Sequence, residues 1–381
     1  MTTILRTIGW GLFCTSSWTW CIGMWLPMIV IARWGWPGFW VFAVPNVLGC
    51  AAMGYIVGSR VKSESLVESH RGPMRWFSVF TIGFQLFWLA AVLSFMGIDW
   101  TWLVLAPLGV LLLGGIASLM PSACWLLFSF AVFIAIAVNF GFVGIEPLER
   151  IADRGISPPL ELWGVAPLIT LGFLFSPYLD LTFHRARRET PCTNSFAVFG
   201  TTFLLVLLFV CAAWMNHALT LLLALWAGQL LFTVGAHLRE LRVTGQPGGW
   251  GTNRVLVASA FLPAILAWVL LGLGCGQPTL FADGSGAGHP LLVDMYLRFI
   301  AFYGLIVPAW VLAFMGPRRP ARRTPSAYIV LAIALLIGLP MAELGMIHST
   351  TWTTTWWAIP AVVVVVLTAV LLPRGRAKPQ A

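Results

Sequence analysis

This sequence predicts an all-α fold: a polytopic membrane protein of about twelve transmembrane helices, laid out as a five-plus-five inverted repeat with two further helices at the C-terminal end. Three observations predict it. The chain is 59% hydrophobic and only 9% charged, whereas soluble domains carry about 25% charged residues. Apolar stretches of about 20 residues, the length that crosses a bilayer, recur along all 381 residues. The loops between them are too short to hold an independent core.

The spans read as 8–33, 38–58, 76–97, 101–120, 122–142, 163–183, 195–215, 217–236, 254–275, 291–315, 326–346 and 353–373. The tightest division is at 215–217, where two spans meet almost without a loop. The first span follows Arg6 and would pass for a signal peptide by charge, but its apolar run continues to Ile31 with Trp10, Trp18, Trp20 and Trp25 inside it. It also lacks a small-x-small cleavage site, so it reads as a retained helix.

Basic residues set the orientation. With the N-terminus cytoplasmic, the inner segments collect Arg6, then Arg60, Lys62, Arg71 and Arg75, then Arg185, Arg187 and Arg188. The series continues with Arg239, Arg242 and Arg254, with Arg318, Arg319, Arg322 and Arg323, and with Arg374, Arg376 and Lys378. Of the 22 Lys and Arg, only Arg33, Arg150, Arg154 and Arg298 fall elsewhere. An even number of spans with both termini cytoplasmic follows. Trp34, Trp36, Trp40, Trp100, Trp102, Trp163, Trp214, Trp352, Trp356 and Trp357 gather at the predicted outer interface, as an aromatic belt does. The net charge of +9 is spread over short loops and serves topology; it calls for no nucleic-acid partner. Seven cysteines without metal-ligand or framework spacing read as packing residues. Scarce Lys with abundant Arg, Ala, Gly and Trp fits a GC-rich bacterial genome and hence a bacterial cytoplasmic membrane.

Residues 163–194 hold the most pointed chemistry. Ser176, Pro177, Tyr178 and Asp180 interrupt an apolar span that then runs into Arg185, Arg187 and Arg188. Proline frees a backbone carbonyl and a buried acid needs a partner. Together they describe a discontinuous helix lining a polar site. The plainer reading is a proline kink with Asp180 paired locally to Arg187 or His184. Span 1 is also weakened, by Ser16, Ser17, Thr19, Cys21, Gly23 and Pro27, though such residues equally serve close helix contacts. Spans 1–5 (within 1–142) and 6–10 (163–315) flank the loop 143–162, and 316–381 adds spans 11 and 12 with a cytoplasmic tail. Two five-helix units in tandem must be inverted relative to each other, which places a site at the midplane between their first helices.

Residues 21–55 then carry a resemblance. Gly23, Pro27, the turn Gly35-Trp36-Pro37-Gly38 and the helix opening on Phe39 through Pro45-Asn46 resemble the first-to-second-helix region of LeuT-fold transporters. That group includes the sodium:solute symporters, the neurotransmitter:sodium symporters and the amino acid–polyamine–organocation superfamily. The resemblance implies a small polar or amphipathic solute held between spans 1 and 6, flanked by spans 3 and 8. Ser16, Ser17, Thr19, Trp20, Gly23, Ser176 and Tyr178 would bind the solute, and Asp180, Thr182, Gln229 and Thr233 the coupling ion. Span 8 offers only Thr233, with Gln229 a turn earlier, where sodium-coupled members carry an adjacent Ser/Thr pair, so Na+ and H+ both stay open as the ion.

Asp294 and Arg298 stand four apart on span 10, the spacing of a helical ion pair, and read as an outer gate or an interfacial pair. No nucleotide-binding, zinc-protease or serine-hydrolase signature occurs, and no cofactor or metal is implied. The alternative to a transporter is an integral-membrane acyl or glycosyl transferase acting on a lipid-linked substrate. Its acids would come from Glu146, Glu149 and Asp153, which interleave with Arg150 and Arg154 like a solvated amphipathic segment.

Overall fold

A computed structural model describes residues 2–153, 159–245, 290–316, 321–347 and 356–374. The span read at 254–275 lies outside them. Among the described residues the regular structure is helical, apart from an isolated bridge between Ala321 and Arg374. The helices are α1 (Thr3–Trp18), α2 (Cys21–Val57), α3 (Arg60–Ser69), α4 (Arg71–Phe95), α5 (Trp100–Ala117), α6 (Ser122–Val143) and α7 (Pro159–Phe175). They continue with α8 (Leu181–Glu189), α9 (Ser195–Met215), α10 (Leu219–Val243), α11 (Pro290–Trp310), α12 (Pro325–Met346) and α13 (Ala358–Leu371). Eight described helical segments are long and apolar enough to cross a membrane, and Thr101–Ala117 and Ala358–Leu371 are shorter apolar helices. The chain is a multi-pass helical membrane protein.

The first span is interrupted at Thr19 and Trp20, where α1 ends and α2 begins. The first two spans divide between residues 33 and 38: two helical segments of α2 meet at Gly35, whose φ of 62° and ψ of −148° are non-helical. That region is open almost only to glycine, because a Cβ there meets the backbone. The basic stretch after α2 also forms a helix of its own, α3, which Ser59 caps by accepting from Lys62 N at 3.2 Å. The tight division at 215–217 holds: α9 ends at Met215, His217 takes a φ of 57°, and α10 starts at Leu219.

The chain forms two compact units. The first takes in Met1–Ile29, Ala51–Asp153 and Asp180–Leu292. In it α1 is the central helix, packed on α6, α8, α9 and α10, while α4 and α5 pack on α10. Glycine allows the α1–α9 contact to be close: a Cβ at Gly11 would lie 2.6 Å from the Val198 side chain. The second unit takes in Val30–Cys50, Arg154–Leu179 and Val293–Ala381. There α12 packs on α13 and α13 on α7. α7 and α11 cross at Gly172 and Gly304, the small-residue contact that membrane helices use in place of a hydrophobic driving force.

Candidate functional site

The interior of the first unit gathers the polar side chains. At its centre α1 ends. Ser and Thr side chains compete with the helix for backbone groups, and here they do: Ser17 Oγ donates to Cys14 O at 3.1 Å, and Thr19 Oγ1 to Thr15 O at 2.6 Å. Thr19 leaves the helical region and Trp20 is extended, so α2 starts afresh at Cys21. The break thus falls just before residues 21–23. The carbonyls of Ser16 and Ser17 at this end lie 3.5 and 3.3 Å from the Thr233 hydroxyl on α10, which also reaches Gln229 O at 2.9 Å.

A second interruption follows α7. Pro177 sits in a single 3-10 turn, Ser176–Tyr178, and helical geometry resumes only at Leu181. Asp180 is extended and caps α8. Its Oδ1 accepts from Thr182 N at 2.6 Å and from Thr182 Oγ1 at 2.7 Å. The Thr182 hydroxyl lies 3.2 Å from Ser17 Oγ, tying the start of α8 to the end of α1.

Asp180 is fully buried and its Oδ2 faces Nε2 of His237, on α10, at 3.9 Å. Neither of these two atoms has a hydrogen-bond partner. On the other side of the ring, His237 Nδ1 lies 3.0 Å from Ser78 Oγ on α4. The local partners that a simple kink would supply are engaged elsewhere. Arg187 donates to Gly58 O at 2.8 Å, and His184 Nδ1 meets Ser63 Oγ of α3 at 2.9 Å.

α4 and α10 line the rest of this interior with matching faces. Ser78, Thr81, Gln85 and Trp88 recur on one face of α4, and His237, Thr233, Gln229 and Trp226 on one face of α10. Ser78 meets His237 at one end. At the other, Trp25 packs edge-to-face on both Trp88 (centroids 5.7 Å apart) and Trp226 (5.5 Å). The two helices therefore run antiparallel in register over about 15 Å, at a rise of about 1.5 Å per residue. Between these ends, Thr81 Oγ1 and both amide atoms of Gln85 and Gln229 are buried without a hydrogen-bond partner. A buried polar group left in this state costs about 1–3 kcal/mol. Clusters of them are rare in native structures.

Towards the other end of α8 an ionic cluster closes the unit. Arg185 has a fully buried side chain beneath the rings of Trp10, Phe13 and Trp125, 5.4, 4.9 and 5.6 Å from their centroids. It pairs with Glu189 at 3.3 Å and Glu240 at 3.8 Å. Arg188 and Arg239 pair with Glu240 at 2.8 and 2.6 Å. Burial pushes the Arg185 guanidinium down to about 10, with Glu240 opposing the shift, so it is still a cation at neutral pH.

The other predicted residues are placed as follows. Trp20 is buried with its ring 6.4 Å from that of Phe84 on α4. Gly23 is a packing position: a Cβ there would come 3.3 Å from the Phe203 ring of α9. Ser176 and Tyr178 belong to the second unit, where the Ser176 hydroxyl donates to Gly172 O and Tyr178 is half-buried near Phe175. Arg298 donates three hydrogen bonds of 2.5–3.0 Å to Glu343 on α12, which meets the guanidinium side-on, and it also lies in the field of Asp294. Glu146 and Glu149, the acids of the enzyme alternative, are exposed on a 3-10 helix. Among the described residues no three His, Cys, Asp or Glu side chains gather as a metal site.

No known protein family, curated protein or solved structure matches this chain. The site thus rests on its own geometry. His237, Gln85 and Ser78 were not among the residues the sequence reading assigned to it. The signal that could have found them is a polar stripe on one helical face, at 78, 81, 85 and 88 on span 3 and at 226, 229, 233 and 237 on and just past span 8.

Proposed function

We propose that the protein is a secondary transporter that carries a small polar or amphipathic solute across a bacterial cytoplasmic membrane by alternating access, on a LeuT-like plan. The observation that carries this reading is the set of unpartnered buried groups, Thr81, Gln85 and Gln229, on facing sides of α4 and α10 beside the break between α1 and α2. Amides offer donors and acceptors without net charge. Held without partners in an apolar interior, they destabilise the protein, and a polar ligand that hydrogen-bonds to them offsets that cost. Broken helices beside such groups are the means by which transporters bind and release cargo. The ring faces of Trp20, Trp25, Trp88 and Trp226 supply the apolar walls that an amphipathic solute needs. The exposed Glu146 and Glu149 give the transferase alternative no comparable site.

The experiment is a paired one. Gln85→Met and Gln229→Met, of similar volume, remove the unpartnered amides. Each variant, purified in detergent, is expected to melt higher than the parent, and the parent's thermal stabilisation by solutes from a panel of sugars, amino acids and nucleosides is expected to vanish. Reconstituted vesicles then test gradient-driven uptake of whichever solute stabilises the parent. Variants that melt lower and retain uptake would sink the reading, because the amides would then be ordinary structural partners.

A further inference from the structure

We infer that Asp180 and His237 bind one proton between them, and that this pair is the coupling site of the transport cycle. The coupling role rests on the transporter reading; the proton site does not. Only one oxygen of Asp180 is uncommitted, because Oδ1 already accepts from the backbone and hydroxyl of Thr182. One free carboxylate oxygen facing an imidazole nitrogen is a poor cage for a hard metal cation, which takes about six oxygens. It is a good match for a proton. At 3.9 Å the two atoms stand beyond hydrogen-bond reach, for which about 2.7–3.2 Å is needed. A proton on either atom makes one a donor and the other an acceptor, and a shift of about 1 Å closes the bond.

The ring is already oriented for this. Ser78 Oγ, 3.0 Å from Nδ1, is a hydroxyl that can donate to that nitrogen or accept from it. When the ring is neutral either tautomer is supported. When it gains a proton, Nδ1–H donates to Ser78 and Nε2–H points to Asp180. The balance is simple: one proton arrives from water, occupies the Oδ2–Nε2 gap and leaves to water on the other side, with no other bond made or broken.

The neighbouring charged and titratable groups are occupied or remote from the gap. On α10, Glu240 holds Arg188 and Arg239. On α8, Arg185 lies among Trp10, Phe13 and Trp125, Arg187 is bonded to Gly58 O, and His184 meets Ser63 of α3. On α4, Arg75 donates to Leu241 O at 2.5 Å and Thr244 at 3.3 Å. On α1 the thiol of Cys14 lies within the field of Asp180. α5, α6 and α9 carry no charged side chain. Asp180 caps α8, and Thr182 links it to Ser17 at the α1 break. A change in the charge of the pair therefore acts on the end of α1 and the start of α8.

The test uses the purified full chain in lipid nanodiscs. Infrared difference spectra between acid and alkaline buffer report protonated carboxyl and imidazolium bands, and a proton-uptake titration counts the protons. Against the background of the other titrating groups, the parent is expected to show one step, the uptake of one proton, in its difference from either single variant. Asp180→Asn and His237→Gln are each expected to abolish that step, and Ser78→Ala to move its midpoint without abolishing it. If both single variants keep the step unchanged, the pair is a structural contact and the inference is overturned. His237→Gln, nearly isosteric, keeps the test open should Asp180→Asn fail to fold. If the step is present but vesicles show no pH-gradient-driven uptake of any solute, the transporter reading fails while the proton site stands. If uptake is found and Asp180→Asn remains fully coupled to the pH gradient, the coupling role fails.

Discussion

Glu240 lies 3.8 Å from Arg185 with neither side chain exposed to solvent. The pair belongs to a cluster in which Arg185, Arg188 and Arg239 share Glu240 and Glu189. Removing one member of a buried pair leaves an uncompensated charge and costs about 3–5 kcal/mol, whereas replacing both by apolar residues is often neutral. Glu240→Leu is therefore expected to lower the melting temperature strongly. Arg185→Leu together with Glu240→Leu is expected to recover most of that loss. Thermal unfolding followed by tryptophan fluorescence in detergent checks both. If the double variant melts as low as the single one, the cluster's other arginines, not Arg185, set the penalty.

The α7–α11 crossing predicts an order of sensitivity. A Cβ at Gly304 would lie 2.5 Å from Leu168 O, a backbone atom that cannot swing aside, whereas a Cβ at Gly172 would lie 3.1 Å from Gly304 N. Gly304→Ala is expected to destabilise by about 1–3 kcal/mol, the usual cost of overpacking. Gly172→Ala is expected to cost less. Gly228→Ala, with nothing within 4 Å, serves as the control and is expected to be neutral or stabilising. A scan in which the control suffers as much as Gly304 would remove the crossing from the account.

How much of this was legible in the sequence depends on the range of the interaction. Hydrophobic length pointed to both interrupted segments together with Ser16, Ser17 and Thr19 in the first and Pro177 and Asp180 in the second, because a helix in lipid must satisfy its backbone within itself and few residues break it. Gly35 was legible as the turn between the first two spans, and its non-helical backbone divides α2 there. The partner of Asp180 was not legible. Arg187 and His184 are near in sequence, yet Gly58 and Ser63 claim them, and His237 arrives from α10. Which polar faces meet across α4 and α10 is a matter of packing register, and a single chain's spacing cannot state it.

Gly35 gives a prediction about the bend in α2. Its backbone lies where a side chain is strained, at about 1–3 kcal/mol. Gly35→Ala is expected to destabilise within that range, while Ala32→Gly, three residues earlier and outside the bend, is expected to cost about 1 kcal/mol or less from helix propensity alone. Equal losses at the two sites would mean that the bend is not held in the folded protein.

Arg298 and Glu343 supply a test by charge reversal. The two side chains are 36% and 32% exposed, so solvent screening keeps the value of the pair to about 1 kcal/mol or less. Arg298→Glu places two carboxylates together and is expected to lower the melting temperature more than Arg298→Ala does. Adding Glu343→Arg to Arg298→Glu is expected to restore it. Asp294→Asn is expected to change the Arg298 contact less than Arg298→Ala does, because the guanidinium's hydrogen bonds run to Glu343. Salt sharpens the comparison: raising ionic strength should shrink the repulsion in the single reversal and leave the restored pair nearly unmoved. If Asp294→Asn instead matches Arg298→Ala in its effect, the same-helix pair that the sequence suggests is the one that operates.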